Sequence, residues 1–217
     1  MVGAPVVVSS DEMTFEEYLV AYDGVHAEWV DQRVWPKDAE GARHSLLRRF
    51  IATVLQLYAE HRDAGEVYVA PFTVRLSDLV AREPDVFFVG RRHAGRVHST
   101  HVEGAPDLVV EIPGPESRGR VRGDAWFDYE AAGVPEFWLV DPDRKVVEAW
   151  RLGTDGRYDV VSPGTPAVLR SEVLEGLPLP VSWLWREPLP TVREVQKAWG
   201  LVDAGDGDGC ATRLIRG

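Results

Sequence analysis

A chain of 217 residues, 45% hydrophobic and 27% charged, with eight Trp and seven Phe, has the material for one globular domain of generous size. Its formal charge of −11, from 35 acids against 24 bases, argues against strong indiscriminate binding to phosphate backbones. A single Cys, Cys210, excludes an intrachain disulfide and a thiolate zinc cluster, and the lack of a long apolar run or a basic-then-apolar leader points to an unexported, cytoplasmic chain with no membrane span.

Met1 to Ser10 reads as a loose leader, after which Ser9 or Ser10 caps a short helix from Asp11 to about Val20, with Glu16 and Glu17 in its early turns. His26 to Val34 alternates as a strand, with Ala27, Trp29 and Asp31 on one side and Glu28, Val30 and Gln32 on the other. Ala42 to about His61 carries Leu46, Phe50, Val54, Leu55 and Tyr58 at helical spacing, which predicts an apolar face against a sheet and an arginine-rich opposite face. Short strands follow at Val67 to Ala70 and Thr73 to Leu76, around Pro71. Pro84 to Val89 reads as a buried strand that opens with Asp85.

The rest of the chain is organised around Ala105 to Trp150. Pro106-Asp107-Leu108-Val109-Val110-Glu111 is a short apolar run bounded by Pro and Gly, the pattern of a strand buried on both faces. Gly123 to Ala132 has helical composition, and Gly133 closes it. Within the run Gly133 to Pro142 a second apolar strand then ends in an Asp141-Pro142 turn. Lys145 to Leu152 and Tyr158 to Ser162 flank Gly153-Thr154-Asp155-Gly156 and predict a hairpin. Val173 to Leu184 has Pro-rich edge character, and Thr191 to Trp199 reads as a last short helix. The run Gly205 to Gly209 and the tail to Gly217 have the composition of disorder. The expected organisation is a leader over 1–10, one domain over 11–190, a helix within 191–202 and a tail over 203–217. The expected fold is α/β, a mixed central sheet flanked by helices with an added C-terminal β-hairpin.

Asp85 opens one strand and Glu111 closes another. If the two pair antiparallel, the start of one lies beside the end of the other, and both carboxylates converge on one point. Carboxylates gathered in this way suit an oxygen-liking ion such as Mg²⁺. Asp107 cannot join them, because four residues of strand hold it about 13 Å from Glu111; satisfying backbone donors at the strand start suits it better. The plainer readings are a turn role for Asp85 after Pro84, and an ion pair between Glu111 and an Arg from 118 to 122.

The stretch "APDLVVEIPGPESRGR…DYEAAGVPEFWLVDPDRKVVEAWR" resembles the Uma-two family of restriction-endonuclease-like proteins, within the PD-(D/E)XK nuclease superfamily. The resemblance continues upstream in "MTFEEYL", "HAEWVDQRV", "RHSLLRRFIATVLQLY" and "PFTVRLSDLVAREPDVFFV", and covers about Met13 to Leu184 in the same order. It implies a restriction-endonuclease-like fold and a metal-dependent endonuclease using Mg²⁺ or Mn²⁺. Its partner would be nucleic acid, DNA ahead of RNA, with a homodimer left open. Asp85 and Glu111 would then be the metal ligands and Glu28 a third member of the cluster, while His44 matches a His near the start of the family's long helix.

The expected lysine is the point of departure. The superfamily position two residues after Glu111 holds Pro113, and the family position one turn before Tyr129 holds Ala125. Arg122, three residues before Ala125, is the candidate substitute; it can hold phosphate but is a poor proton acceptor. The family's "DGE" turn is altered to Asp31-Gln32-Arg33. Two functions therefore stand: an endonuclease with a site lacking its usual lysine, or a nuclease-fold domain that acts by binding a partner.

Overall fold

The computed structural model describes residues 12–37, 41–114, 119, 121–161 and 165–202; the expected leader and Gly/Asp-rich tail lie outside the described residues, as does the side chain of Arg122. Helix α1 (Phe15–Ala21) begins later than its sequence suggests, because Thr14 rather than Ser9 or Ser10 is the cap. The Thr14 hydroxyl accepts from the Glu17 N–H at 3.2 Å, and the Glu17 carboxylate accepts from the Thr14 N–H at 2.8 Å, a reciprocal capping box.

The segment expected as one strand from His26 to Val34 is instead a tight hairpin, β1 (Ala27–Val30) and β2 (Arg33–Pro36). Its two-residue turn places Asp31 and Gln32 at φ of 50° and 63°. Both central residues of such a turn need positive φ, a demand usually met with Gly, so with Gln32 in that place the alternation read on as one strand although the family's turn falls at Asp31-Gln32-Arg33. Helix α2 (Ala42–Arg62) has nearly its expected bounds. Its buried stripe is Leu47, Phe50, Ile51, Val54, Leu55, Tyr58 and Ala59, which leaves Leu46 out at 41% exposure.

Six strands follow: β3 (Gly65–Val69), β4 (Thr73–Ser77), β5 (Val80–Arg82), β6 (Val86–Gly90), β7 (His101–Glu103) and β8 (Leu108–Glu111). A wider π-turn over Val121–Ala125 leads into α3 (Trp126–Ala132), which ends on Gly133 at φ 81°. Next come β9 (Glu136–Asp141) and the predicted hairpin, β10 (Val146–Leu152) with β11 (Tyr158–Val160). A short pair, β12 (Val168–Arg170) and β13 (Pro178–Pro180), precedes α4 (Val192–Ala198), which Thr191 caps.

The long strands form two mixed sheets rather than one. The larger runs β11-β10-β9-β8-β6-β3, with β8 and β9 parallel, and the smaller runs β2-β1-β5-β4-β7, with β4 and β7 parallel. Alternation along the central strands fills two cores. Val86, Phe88, Leu108, Val110, Trp138 and Val140 pack under α2. Phe87, Val89, Val109, Phe137 and Leu139 face the other way, onto Tyr129 of α3 and onto Val74 and Val102 of the smaller sheet. Both faces are covered, which is why the strands read as unbroken apolar runs. A third core, Phe15, Tyr18, Ala27, Trp29, Val34 and Ala81, joins α1 to the smaller sheet. Among the described residues no helix is long and apolar enough to cross a membrane.

Candidate active site

Strands β6 and β8 are neighbours and run antiparallel, with Val86 opposite Val110. That register carries Asp85, just before β6, alongside Glu111 at the end of β8. Both are almost fully buried, so each needs partners. Asp85 Oδ2 accepts from the Ile112 N–H at 2.7 Å. Its Oδ1 lies 3.2 Å from His44 Nε2 at the start of α2, yet no well-aligned hydrogen bond reaches that oxygen. Oδ1 thus lies against the His44 ring without an aligned hydrogen bond, which leaves it a lone pair for another ligand. Glu111 Oε1 accepts from the Tyr129 hydroxyl at 2.6 Å, which ties α3 to the strand tip.

Glu28 arrives from the smaller sheet. Ala27 and Trp29 turn into the α1 core, so alternation sends Glu28 the other way, towards the larger sheet. Arg82 Nη1 donates to Glu28 Oε2 at 2.7 Å, and the same guanidinium donates through Nε to Asp128 Oδ2 of α3 at 2.9 Å and through Nη2 to the same oxygen. This buried Arg fixes the position of Glu28 and locks α3 to the smaller sheet.

The centre of the cluster is held by a residue the sequence reading passed over. Lys37 follows β2 directly, and its N–H continues the hairpin to the His26 carbonyl at 3.0 Å. Its ammonium donates to the Glu83 carbonyl at 2.7 Å and stands 3.5 Å from Glu111 Oε2 and 3.9 Å from Glu28 Oε1. The two expected positions, Pro113 and Ala125, hold no lysine. A lysine is present, but it comes from the hairpin and not from the strand or helix that follows Glu111. It is one of only three lysines in the chain, the one signal that could have drawn attention to it.

The electrostatics follow from this packing. Burial pulls the Lys37 ammonium down, but Glu111, Asp85, Glu28 and Glu83 together outweigh it and raise its pKa, so the residue stays charged. Burial pushes Asp85 up, and Lys37, His44 and the Ile112 N–H more than reverse this, leaving it below its ordinary value. Glu111 goes the other way. Burial raises it, Lys37 opposes, and the neighbouring Asp85 and Glu28 charges add to the rise. The Tyr129 phenol is raised well above its usual range, chiefly by burial, and remains a donor.

Among the residues expected at the site, Asp85, Glu111, Glu28 and His44 come together. Asp107 does not: its Oδ2 accepts from the Gly90 N–H at 2.7 Å and its Oδ1 lies 2.9 Å from His93 Nδ1, the backbone-satisfying role expected of it. Arg122 sits in the π-turn before α3, and the expected pairing of Glu111 with an Arg from 118 to 122 lies outside the described residues. Among the described residues no three His, Cys, Asp or Glu side chains already surround one point as a metal cage. Mg²⁺ seldom asks for one, since one or two carboxylates, waters and substrate phosphate complete its shell. The unaligned Asp85 Oδ1 and the Glu111 Oε2 that stands 3.5 Å from the Lys37 ammonium fit that demand.

A mixed sheet that brings two carboxylates together at the adjoining ends of neighbouring strands defines a restriction-endonuclease-like fold. The chain belongs to the Uma2 family, described as "Putative restriction endonuclease", whose model matches residues 14–182. It is similar in fold to the crystal structure of a protein from Anabaena variabilis ATCC 29413, titled a putative nuclease belonging to DUF820. The TM-score is 0.66 at 18% identity, over 80% of this chain and 97% of that one. No curated protein matches the chain.

Proposed function

We propose that this chain is a metal-dependent endonuclease that hydrolyses phosphodiester bonds of nucleic acid, DNA ahead of RNA, with Mg²⁺ or Mn²⁺ held by Asp85 and Glu111. The observation that carries the proposal is the antiparallel register of β6 and β8, which sets a buried, incompletely bonded Asp85 oxygen beside Glu111. When bound, such an ion activates water and offsets charge developing on the phosphate. The protein does the positioning. Tyr129 holds one oxygen of Glu111, the Ile112 N–H holds one oxygen of Asp85, and Arg82 fixes Glu28 behind them. His44 and Lys37, at 13% and 12% side-chain exposure, are the members of the cluster that reach solvent, where substrate arrives. Arg122 is carried into this reading from the sequence alone, as a residue type suited to holding a phosphate.

A second reading, a nuclease-fold domain that only binds a partner, is favoured by the net charge of −11. Cleavage of single- and double-stranded DNA and RNA in Mn²⁺ separates the two, alongside the melting temperature with and without Mn²⁺. Metal at a hundredfold excess over its Kd stabilises a folded chain by about 2.7 kcal/mol, or about 5–10 °C at this size. The endonuclease reading expects cleavage and a rise of that size, both lost in Glu111→Ala. A rise without cleavage of any substrate leaves the binding reading.

A further inference from the structure

Four carboxylates crowd the site, and the Lys37 ammonium stands between two of them, 3.5 Å from Glu111 Oε2 and 3.9 Å from Glu28 Oε1. It faces Glu111 Oε2, the oxygen not held by the Tyr129 hydroxyl. Lys37 is anchored at its head by a carbonyl, that of Glu83, and not by a bidentate carboxylate grip. Its stem is flexible and its side chain reaches solvent. A divalent cation and an ammonium cannot share these oxygens, because like charges about 4 Å apart repel strongly in a buried site.

We propose that Lys37 is the catalytic lysine of this chain, supplied by the β1–β2 hairpin, and that its ammonium serves as counter-ion to Glu28 and Glu111 until a divalent cation displaces it towards the substrate phosphate. The proposal rests on the endonuclease reading above and deepens it. In the metal-free protein the ammonium keeps the buried carboxylates from repelling one another. In the loaded protein Glu111 and Asp85 would hold the ion, and the released Lys37 ammonium would turn to the solvent-facing side and pair with a phosphate oxygen. The lysine absent from position 125 is replaced in charge and in reach from a different element.

The test uses the unaltered protein. Amine labelling followed by mass spectrometry reads Lys37, with Lys145 and Lys197 as internal references, in chelator and in saturating Mn²⁺. The expected result is a several-fold faster modification of Lys37 in Mn²⁺ with the two references unchanged. Calorimetry adds a second readout: Lys37→Met should bind Mn²⁺ on the order of tenfold more tightly than wild type, since a competing charge is gone. Lys37→Arg, which keeps the charge if Lys37→Met does not fold, should bind Mn²⁺ as wild type does. Cleavage should fall on the order of 10²–10³-fold in Lys37→Met. Mn²⁺ binding with Lys37 labelling unmoved overturns this inference and leaves the endonuclease reading intact. Absence of any Mn²⁺ binding overturns both.

Discussion

Tyr129 donates a 2.6 Å hydrogen bond to Glu111 Oε1, and this one contact joins the third helix to the strand tip on which the candidate chemistry depends. The donor is wholly buried and belongs to the core that includes Phe137 and Val109. Position and orientation of the carboxylate are thus set by packing as much as by charge.

Tyr129→Phe keeps the ring and removes only the hydroxyl. A buried carboxylate left short of a donor costs about 1–3 kcal/mol, which at this chain length lowers the melting temperature by several degrees. Glu111 should titrate higher still, since the lost hydrogen bond is one of the influences pulling it down. A melting temperature equal to wild type would show that the contact contributes nothing.

Glu83 gives the fold a pH dependence of definite sign. Burial pushes its carboxyl up to about 8, against the downward pull of Lys37, the Ala27 N–H and Thr73. The folded chain therefore keeps a proton that the unfolded chain releases near pH 4.5. Stability from this group is full below that unfolded value and is lost as pH rises through about 8. In chelator, the wild-type melting temperature should fall between pH 5 and pH 8 by more than that of Glu83→Gln, which has nothing to ionise. Parallel profiles for the two proteins would contradict the raised value.

Gln32 stands at φ 63°, in the second position of the β1–β2 turn, where its backbone carbonyl also accepts from the Met13 N–H at 2.8 Å. An L-residue in that region costs roughly 1 kcal/mol, which Gly avoids. Gln32→Gly should therefore raise the melting temperature by about 2–4 °C with the Lys37 position undisturbed. A decrease would mean that the added freedom of the unfolded chain outweighs the relief.

The sequence carried the central sheet well because those strands are buried on both faces and show it as unbroken apolar runs. Asp85 and Glu111 were legible for the same reason, since an acid at the tip of such a run stands out. The smaller sheet was not legible as a sheet. Its five strands are three to five residues long, and one hairpin turns on Asp31-Gln32 without a Gly. Lys37 was missed because its role depends on that hairpin folding back against β6 and β8, a tertiary fact with no local pattern. Leu46 and Leu47 show the same limit on a smaller scale: both suit a helix, and only the packed sheet decides which is buried.

Ala125 offers the last test, because it holds the place one turn before Tyr129 where the family resemblance looks for a lysine. It is buried in the core with Val121 and Tyr129 and lies at the junction between the π-turn and α3. A Lys there would run its stem along Tyr129, since residues four apart share a helix face, and so towards the Glu111 carboxylate that Tyr129 holds. With Lys37 in place, the two ammoniums would compete for the same carboxylates, so Ala125→Lys alone should gain little activity and lose stability. In a Lys37→Met background the balance reverses. Glu111 then lacks the ammonium beside its Oε2, and a lysine at position 125 restores one. The double variant should therefore melt higher than Lys37→Met in chelator and recover about tenfold or more of its lost cleavage. The measurement is melting temperature and cleavage across wild type, both single variants and the double. Additive losses in the double variant would show that positions 37 and 125 do not serve the same carboxylates.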